Sequence, residues 1–321
     1  MNIMRRILAV TGLFLGAALG CFGQTPAYQI EKVPYASYLA PGKLSVVASF
    51  DGSKALDRWK DILAFAKEKS VKFTFFISSV YFIPDPDRQL YIYPIDPRKT
   101  GISDIGFGGQ KEAVAQRIAF VQQAVNEGHD IESHLNGHFD GTRWTEAMWK
   151  VEFAQFNEFC SFLLKKPTHV RFPLLGMNSQ VFPVLMQNGI HSITSVYGKD
   201  FHLFSRISLT GETVPYTIVE FPISFEHENG ATILLMDYNF YMYDQKYHIS
   251  MQNAEAEMVK LYLDEAQKCY VEKRPFFISH HFSNWNHAAY WNAMKQVIEI
   301  IGKKYSVEYL TISDLYKLVT S

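Results

Sequence analysis

From Leu44 onward, short apolar runs alternate with amphipathic segments, and this alternation restricts the chain to a parallel sheet wrapped by helices. Leu44 to Phe50 is the first run. Leu56, Trp59, Ile62, Leu63 and Ala66 then recur at helical spacing, and Lys72 to Ile77 supplies the second strand. Gln110 to Asn126 reads as a helix closed near Gly128, with strand-like His129 to Ser133 after it. Trp144 to Leu164 is a further helix with Phe153, Phe156 and Phe159 inward, and Thr168 to Phe172 a strand. The pattern continues through helix Ser179 to Asn188, strand Ile190 to Val196, extended Thr217 to Pro222 and Thr232 to Met236, helix Ala254 to Tyr270 and strand Pro275 to Ser279. Such a succession of βα units predicts an α/β barrel, closed or incomplete, in one domain. Two stretches interrupt it. Ile83 to Gly109, rich in proline and ending in SDIGFGG, and Tyr197 to Tyr216 read as irregular insertions, and long loops in compact domains usually bind something.

At 321 residues and 48% hydrophobic, the chain can bury a large core. Its 31 basic and 32 acidic residues give a formal net charge of -1, which leaves no electrostatic footprint for nucleic acid. Arg5 and Arg6 precede an apolar run from Ile7 to Leu19, the layout of a secretory signal peptide, and the run is short for a membrane span. The expected organisation is a signal peptide at 1–23, an N-terminal extension at 24–43 and the main domain at 44–321, in a secreted or periplasmic protein. Ala18-Leu19-Gly20-Cys21 also offers a degenerate lipoprotein signal with a lipid anchor on Cys21, but Ala18 stands where such signals carry leucine, which favours plain cleavage. Cys160 and Cys269 lie in helical, apolar-periodic segments and read as two buried thiols.

In parallel α/β barrels the chemistry gathers at the C-terminal ends of the strands. Asp51 ends the first strand; His134 and His138 follow the third; Arg171 closes the next; Asp200 follows the one after; His280 and His281 end PFFIS. Each residue alone has an ordinary reading as a cap, a surface pair or a satisfied core group. Those readings do not predict a common rim. Two imidazoles, His134 and His138, with the Asp51 carboxylate would leave one position open on zinc or a similar divalent ion. Such an ion acidifies water and polarises a carbonyl, and His280 could then protonate a leaving amine or alkoxide.

These residues resemble the NodB-homology polysaccharide deacetylases, carbohydrate esterase family four. SFDGS at 49–53 stands for the family's TFDDG; GHDIESHLNGH at 128–138 is similar to its histidine-pair motif; RFPLLG at 171–176 is similar to its arginine-proline motif and FISHH at 277–281 to its late histidine motif. The resemblance implies a distorted (β/α) barrel with about seven parallel strands and a deacetylase-like catalytic domain over 44–321 that removes N-acetyl groups from amino sugars. Its substrate would be an acetylated cell-wall glycan, peptidoglycan or a chitin-like polymer, with peptidoglycan first. In the family the first Asp of TFDDG is the general base and the second joins the histidines on the metal. Only one Asp is present here. An ungapped comparison makes Asp51 the base and leaves Gly52 at the ligand position; a one-residue gap makes Asp51 the ligand. The ligand assignment is preferred, since two imidazoles without a carboxylate make an incomplete zinc site. Asp104 or Asp140 would then be candidate bases. Arg171 would position a carboxylate, His280 would be the proton donor, a backbone N–H near Leu174 would hold the oxyanion, and Lys199-Asp200-Phe201 loosely matches the family's Asp-Trp motif. Trp285 would stack on a sugar ring or pack the core. The alternative is a catalytically weakened deacetylase fold acting as a glycan-binding module.

Overall fold

A computed structural model describes residues 28–207 and 213–321. The expected signal peptide at 1–23, with Cys21, lies outside the described residues. In chain order the elements are β1 (Tyr28–Val33), β2 (Leu44–Gly52), α1 (Leu56–Lys69), β3 (Phe73–Ile77), α2 (Lys111–Asn126), β4 (Asp130–Ser133), α3 (Glu146–Phe159), β5 (His169–Val170), α4 (Phe182–Gln187) and β6 (Ser192–Ile193). There follow β7 (Phe201–Ile207), β8 (Thr213–Glu220), β9 (Phe225–Glu228), β10 (Ala231–Leu234), α5 (Asp237–Tyr247), α6 (Met251–Glu272), β11 (Phe276–His281), α7 (Ala289–Lys304), β12 (Val307–Tyr309) and α8 (Ile312–Thr320). Most strands and helices fall where apolar periodicity predicts them.

The main sheet runs β1-β7-β8-β6-β5-β4-β3-β2-β11, with β12 also on β2. All pairings from β8 through β6, β5, β4, β3 and β2 to β11 are parallel. The protein is therefore a mixed α/β domain built on a parallel sheet. No continuous ladder joins β11 back to β8 among the described residues. The seam is spanned by the isolated bridge of Met236 with Ser279 and by the Leu235 N–H, which donates to the Ser224 carbonyl at 2.8 Å.

The second stretch read as irregular holds a strand. β7 pairs antiparallel with β8 and with β1, so part of the N-terminal extension becomes the sheet's edge. In an antiparallel ribbon only alternate residues need be apolar, and FHLFSRI mixes polar residues into its pattern, which hides it beside the continuous apolar runs of the parallel strands.

Three apolar clusters hold the layers. The largest lies between the sheet and α1, α6 and α7, with Phe50, Trp59, Phe75 and Trp291. A second gathers under the first insertion, with Tyr91, Phe107, Trp144 and Trp149. The third fills the interior, where Val47, Phe76, Phe201, Phe221 and Phe277 meet Ile312 and Leu315 of α8. α8 forms a floor at the N-terminal ends of the strands. Its N-cap is a capping box of Thr311 and Asp314, and its first N–H groups donate to Thr74 Oγ1 and Asp130 Oδ2, each at 2.9 Å. The first insertion is latched by the buried Arg117 guanidinium, which donates to the carbonyls of Lys54, Tyr81 and Gly108. Cys160 and Cys269 are free and buried, as expected. No helix among the described residues is long and apolar enough to cross a membrane.

Gly141 shows how tightly the loop after β4 is packed. A Cβ there would lie 2.2 Å from the Trp149 indole and 2.9 Å from the Gly176 carbonyl oxygen, and the backbone side of that clash cannot rotate away. Gly141→Ala is expected to destabilise the fold by about 1–3 kcal/mol through overpacking, read as a lower denaturant midpoint at unchanged slope.

Candidate active site

Strand register decides which side chains meet. Residues paired across a parallel ladder share a face, and β2 couples Phe50 to Phe75 and His280, and Asp51 to Phe76 and His281. The Phe50 face packs outward against the helices, its ring centroid 5.9 Å from that of Trp291. The Asp51 face looks into the interior. Glu132 is coupled to Phe76 on that inner face, and His134 follows it by two residues; Ser133 is coupled to Val170, so Arg171 also turns inward beside His134. Asp51, His134, Arg171 and His281 thus converge because each ends or immediately follows a strand of one sheet.

Asp51 is 3% exposed and accepts from Arg171 Nη1 at 2.9 Å. The same nitrogen lies 2.9 Å from Ser49 Oγ, and the guanidinium rests 4.5 Å above the Phe76 ring. Two charges buried together need such mutual support.

His134 Nδ1 donates to the Arg171 carbonyl oxygen at 2.7 Å, which leaves the lone pair on Nε2. That Nε2 is buried with no hydrogen-bond partner among the described residues. Burial holds the His134 pKa below its usual value. The His138 ring centroid is 5.3 Å away, and burial, then the charges of His134 and His281, push His138 down to about 3. Neutral imidazoles with a buried, unshared lone pair are the donors that zinc and similar ions take.

The third expected donor is not in place. The Asp51 carboxylate is held by Arg171, and among the described residues no group of three His, Cys, Asp or Glu side chains is arranged to hold an ion. Gly52, the next residue, has φ +101°, and a Cβ on it would approach only Tyr81, at 3.9 Å. The residues present fit a metal at two positions, His134 and His138, and leave the remainder of its shell open. Asp51, expected as a third ligand, accepts from Arg171 through Oδ1, a partnership that suits a general base.

His281 Nδ1 lies 2.7 Å from Asp237 Oδ1, and its backbone N–H donates to Oδ2 at 2.9 Å. Burial opposes charge on His281, but the charge of Asp237 and its hydrogen bond outweigh it and raise the pKa above the usual histidine value. Burial likewise opposes charge on Asp237, and the histidines beside it outweigh that, so its pKa is lowered. Asp237 also opens α5, where the helix dipole favours an anion.

The expectation placed His280, not His281, in this position. His280 instead occupies the layer between sheet and helices, 1% exposed, its Nε2 3.3 Å from the Tyr262 hydroxyl and its Nδ1 3.7 Å from Asp237 Oδ2. Burial pushes it down to about 4, so it is neutral and turned away from Asp51. Asp200 also lies apart, its charge felt by Tyr35 and His202. The partner of the inward histidine is Asp237, which the sequence reading missed. Asp237-Tyr238 is a second Asp-aromatic pair, and it directly follows the apolar run Ile233 to Met236, a signal that Lys199-Asp200-Phe201 lacks. Asp140 is exposed and its Oδ1 accepts from the Thr142 N–H at 2.9 Å; Asp104 is anchored by its own N–H to the Gly137 carbonyl at 2.9 Å. Leu174, with φ +54°, is 63% exposed at the rim.

Strained backbone marks this rim. Ser53, Leu135, His138, Leu174 and Leu175 all have positive φ without being glycine, and such residues concentrate where surroundings over-determine them at functional sites.

Arg171→Met would strand a buried carboxylate and is expected to cost about 3–5 kcal/mol of stability. The double variant with Asp51→Asn should recover part of that loss; additive losses in a denaturant double-mutant cycle would show that the two groups do not couple.

A family model described as polysaccharide deacetylase matches residues 39–193. Among solved structures, one assigned as a polysaccharide deacetylase from Mycobacterium smegmatis aligns at TM-score 0.59 and 14% identity, covering 87% of this chain and 94% of that one. A mutant of peptidoglycan deacetylase PdaC from Bacillus subtilis aligns at TM-score 0.50 and 12% identity, covering 88% and 94%. At these identities the likeness is one of fold. No curated protein matches the chain.

Proposed function

The chain belongs to the polysaccharide deacetylase family, hydrolases that cleave amide bonds, and from that premise we propose an exported, metal-dependent enzyme that removes N-acetyl groups from a cell-wall glycan. The observation that carries this reading is the meeting on one inner face of an Arg-held carboxylate, a free imidazole lone pair and a carboxylate-held histidine. The layout of residues 1–23 supports export to the periplasm or beyond. The substrate class rests on the family, and peptidoglycan is preferred because the aligned Bacillus subtilis protein is named for it.

Asp51 takes the base role in this reading. Held by Arg171, its carboxylate accepts a proton from the attacking water as the C–O bond forms at the acetyl carbonyl. His134 and His138 would hold a divalent ion, most readily zinc, which supplies Lewis-acid polarisation of the carbonyl and a more acidic water. His281 carries a proton on its inward nitrogen, with Asp237 fixing the ring and favouring the charged form. It gives that proton to the amine nitrogen as the C–N bond breaks, leaving acetate and a free amino sugar. His280 has no proton to give at neutral pH and serves as packing behind Asp237.

A second reading, a glycan-binding module without turnover, is favoured by one observation, the Gly52 at which a ligand side chain is absent. Acetate release from N-acetylated glycan by the purified protein separates the two readings, and a preparation that binds glycan yet releases none would select the second.

Elemental analysis is expected to find divalent metal with the wild-type protein and little with His134→Ala. Equal metal in both would remove His134 from the ligand set. His281→Gln should lower kcat by about 10² to 10⁴, the usual contribution of a positioned acid, with His280→Gln much milder; the reverse order would exchange their roles.

The raised pKa of His281 sets the sign of the pH dependence. The acid form persists above the usual histidine range, and activity falls as pH rises through the folded-state pKa. Asp237→Asn removes the favourable charge and leaves the burial, so the alkaline limb of kcat should move to lower pH. A limb that stayed in place would detach it from His281.

A further inference from the structure

Two polar side chains interrupt the buried face of α3. Glu152 is 1% and Gln155 5% exposed among Trp149, Phe153 and Phe156, and a glutamate is rarely buried so fully unless it is paired. Both reach out to loops beside the site. The Gln155 amide bonds the Ile92 backbone twice, Oε1 accepting from the N–H at 2.6 Å and Nε2 donating to the carbonyl at 2.9 Å. Glu152 Oε2 accepts from the Tyr91 hydroxyl at 2.8 Å, while its Oε1 accepts from the Asn136 N–H at 3.0 Å.

Asn136 stands midway between His134 and His138, and the segment around it is bound residue by residue. The Leu135 carbonyl accepts from the Ser79 N–H at 2.9 Å, Asn136 Nδ2 donates to the Glu152 carbonyl at 2.7 Å, and the Gly137 carbonyl accepts from the Asp104 N–H at 2.9 Å. A Cβ on Gly137 would lie 2.7 Å from the Tyr91 hydroxyl, so the first insertion rests directly on this loop. Leu135 and His138 take φ of 57° and 65°, a left-handed conformation that non-glycine residues hold only where their surroundings impose it.

We propose that Glu152 is a positioning residue for the metal pair, holding the loop between His134 and His138 so that both imidazoles face one ion. The inference rests on the metal-dependent reading given above. With two protein ligands in place, affinity depends on how much of the loop must be ordered when the ion arrives, and a loop fixed beforehand avoids that loss. Glu152 fixes the backbone at Asn136, two residues from each histidine, and ties Tyr91 to the same carboxylate. Groups behind a ligand commonly set its orientation in this way. The first insertion thereby gains a part in the site: Tyr91 and Asp104 brace the ligand loop, and α3 joins insertion and loop through one side chain.

The test is the zinc affinity of the metal-stripped protein, titrated in competition with a chelating dye. Glu152→Met keeps the volume and deletes the acceptors, and it should weaken zinc binding about 10- to 100-fold, the usual loss when a group behind a ligand is removed. Glu152→Gln should stay near the wild type, because its oxygen can accept from Asn136 while its amide donates to the Tyr91 oxygen. Thr311→Ala removes the cap of α8 on the floor of the domain, which lowers stability without touching the loop, and should also bind as the wild type does. Thermal unfolding verifies that each metal-free variant is folded; should Glu152→Met not fold, Tyr91→Phe takes its place, with a several-fold loss expected. Zinc held by the folded variant as tightly as by wild type overturns the positioning role and leaves the metal reading standing. An equal loss in Thr311→Ala overturns it too, since affinity would then follow stability alone. A wild type that takes up no zinc overturns the metal reading and the positioning role together.

Discussion

The parallel register of β2 against β3 and β11 is the constraint on which the site depends. It fixes Asp51, Phe76 and His281 on one face and Phe50, Phe75 and His280 on the other. Because side chains alternate strictly along a strand, a slip of one residue would exchange the two sets. The slip is prevented by the outer set itself: Phe50 meets Phe73, Phe75, Phe282 and Trp291 in a packed aromatic layer that a carboxylate could not enter. The hydrophobic layer thus orients the chemistry on its far side.

Much of this was legible in the sequence, and the failures have physical causes. Strands buried on both faces read as continuous apolar runs, so their positions and the residues that end them could be found. Their inner and outer faces could not. In FFISHH every residue but the last is buried, and nothing local distinguishes His280 from His281. Only pairing with a neighbour whose polar face is known, as Asp51 provides, settles the matter. Asp237 was hidden for a related reason: its importance lies in a contact with residue 281, and a second Asp-aromatic pair at 200–201 looked equivalent. Arg171 was placed at the rim by its position directly after a buried strand, but no local pattern named Asp51 as its partner; that pairing emerges only from the fold.

The two carboxylates of the site are stabilised by different means. Asp51 relies on a guanidinium that also bonds Ser49 and lies on Phe76. Asp237 relies on a histidine and a helix N-terminus. A permanently charged partner suits a group that must accept a proton and return it, and a titratable partner suits a group that must support a proton on its neighbour. The division of labour in the proposed reaction is therefore visible in the choice of partner.

The floor of the domain carries a further consequence. α8 bonds Thr74 through its first N–H across 238 residues of sequence, while Ser313 reaches Asp130 and His169. Contacts so distant along the chain form late, after the cost of closing the longest loop has been met. Synthesis as far as β12 therefore delivers a sheet still open at one end, and assembly of the interior waits for α8.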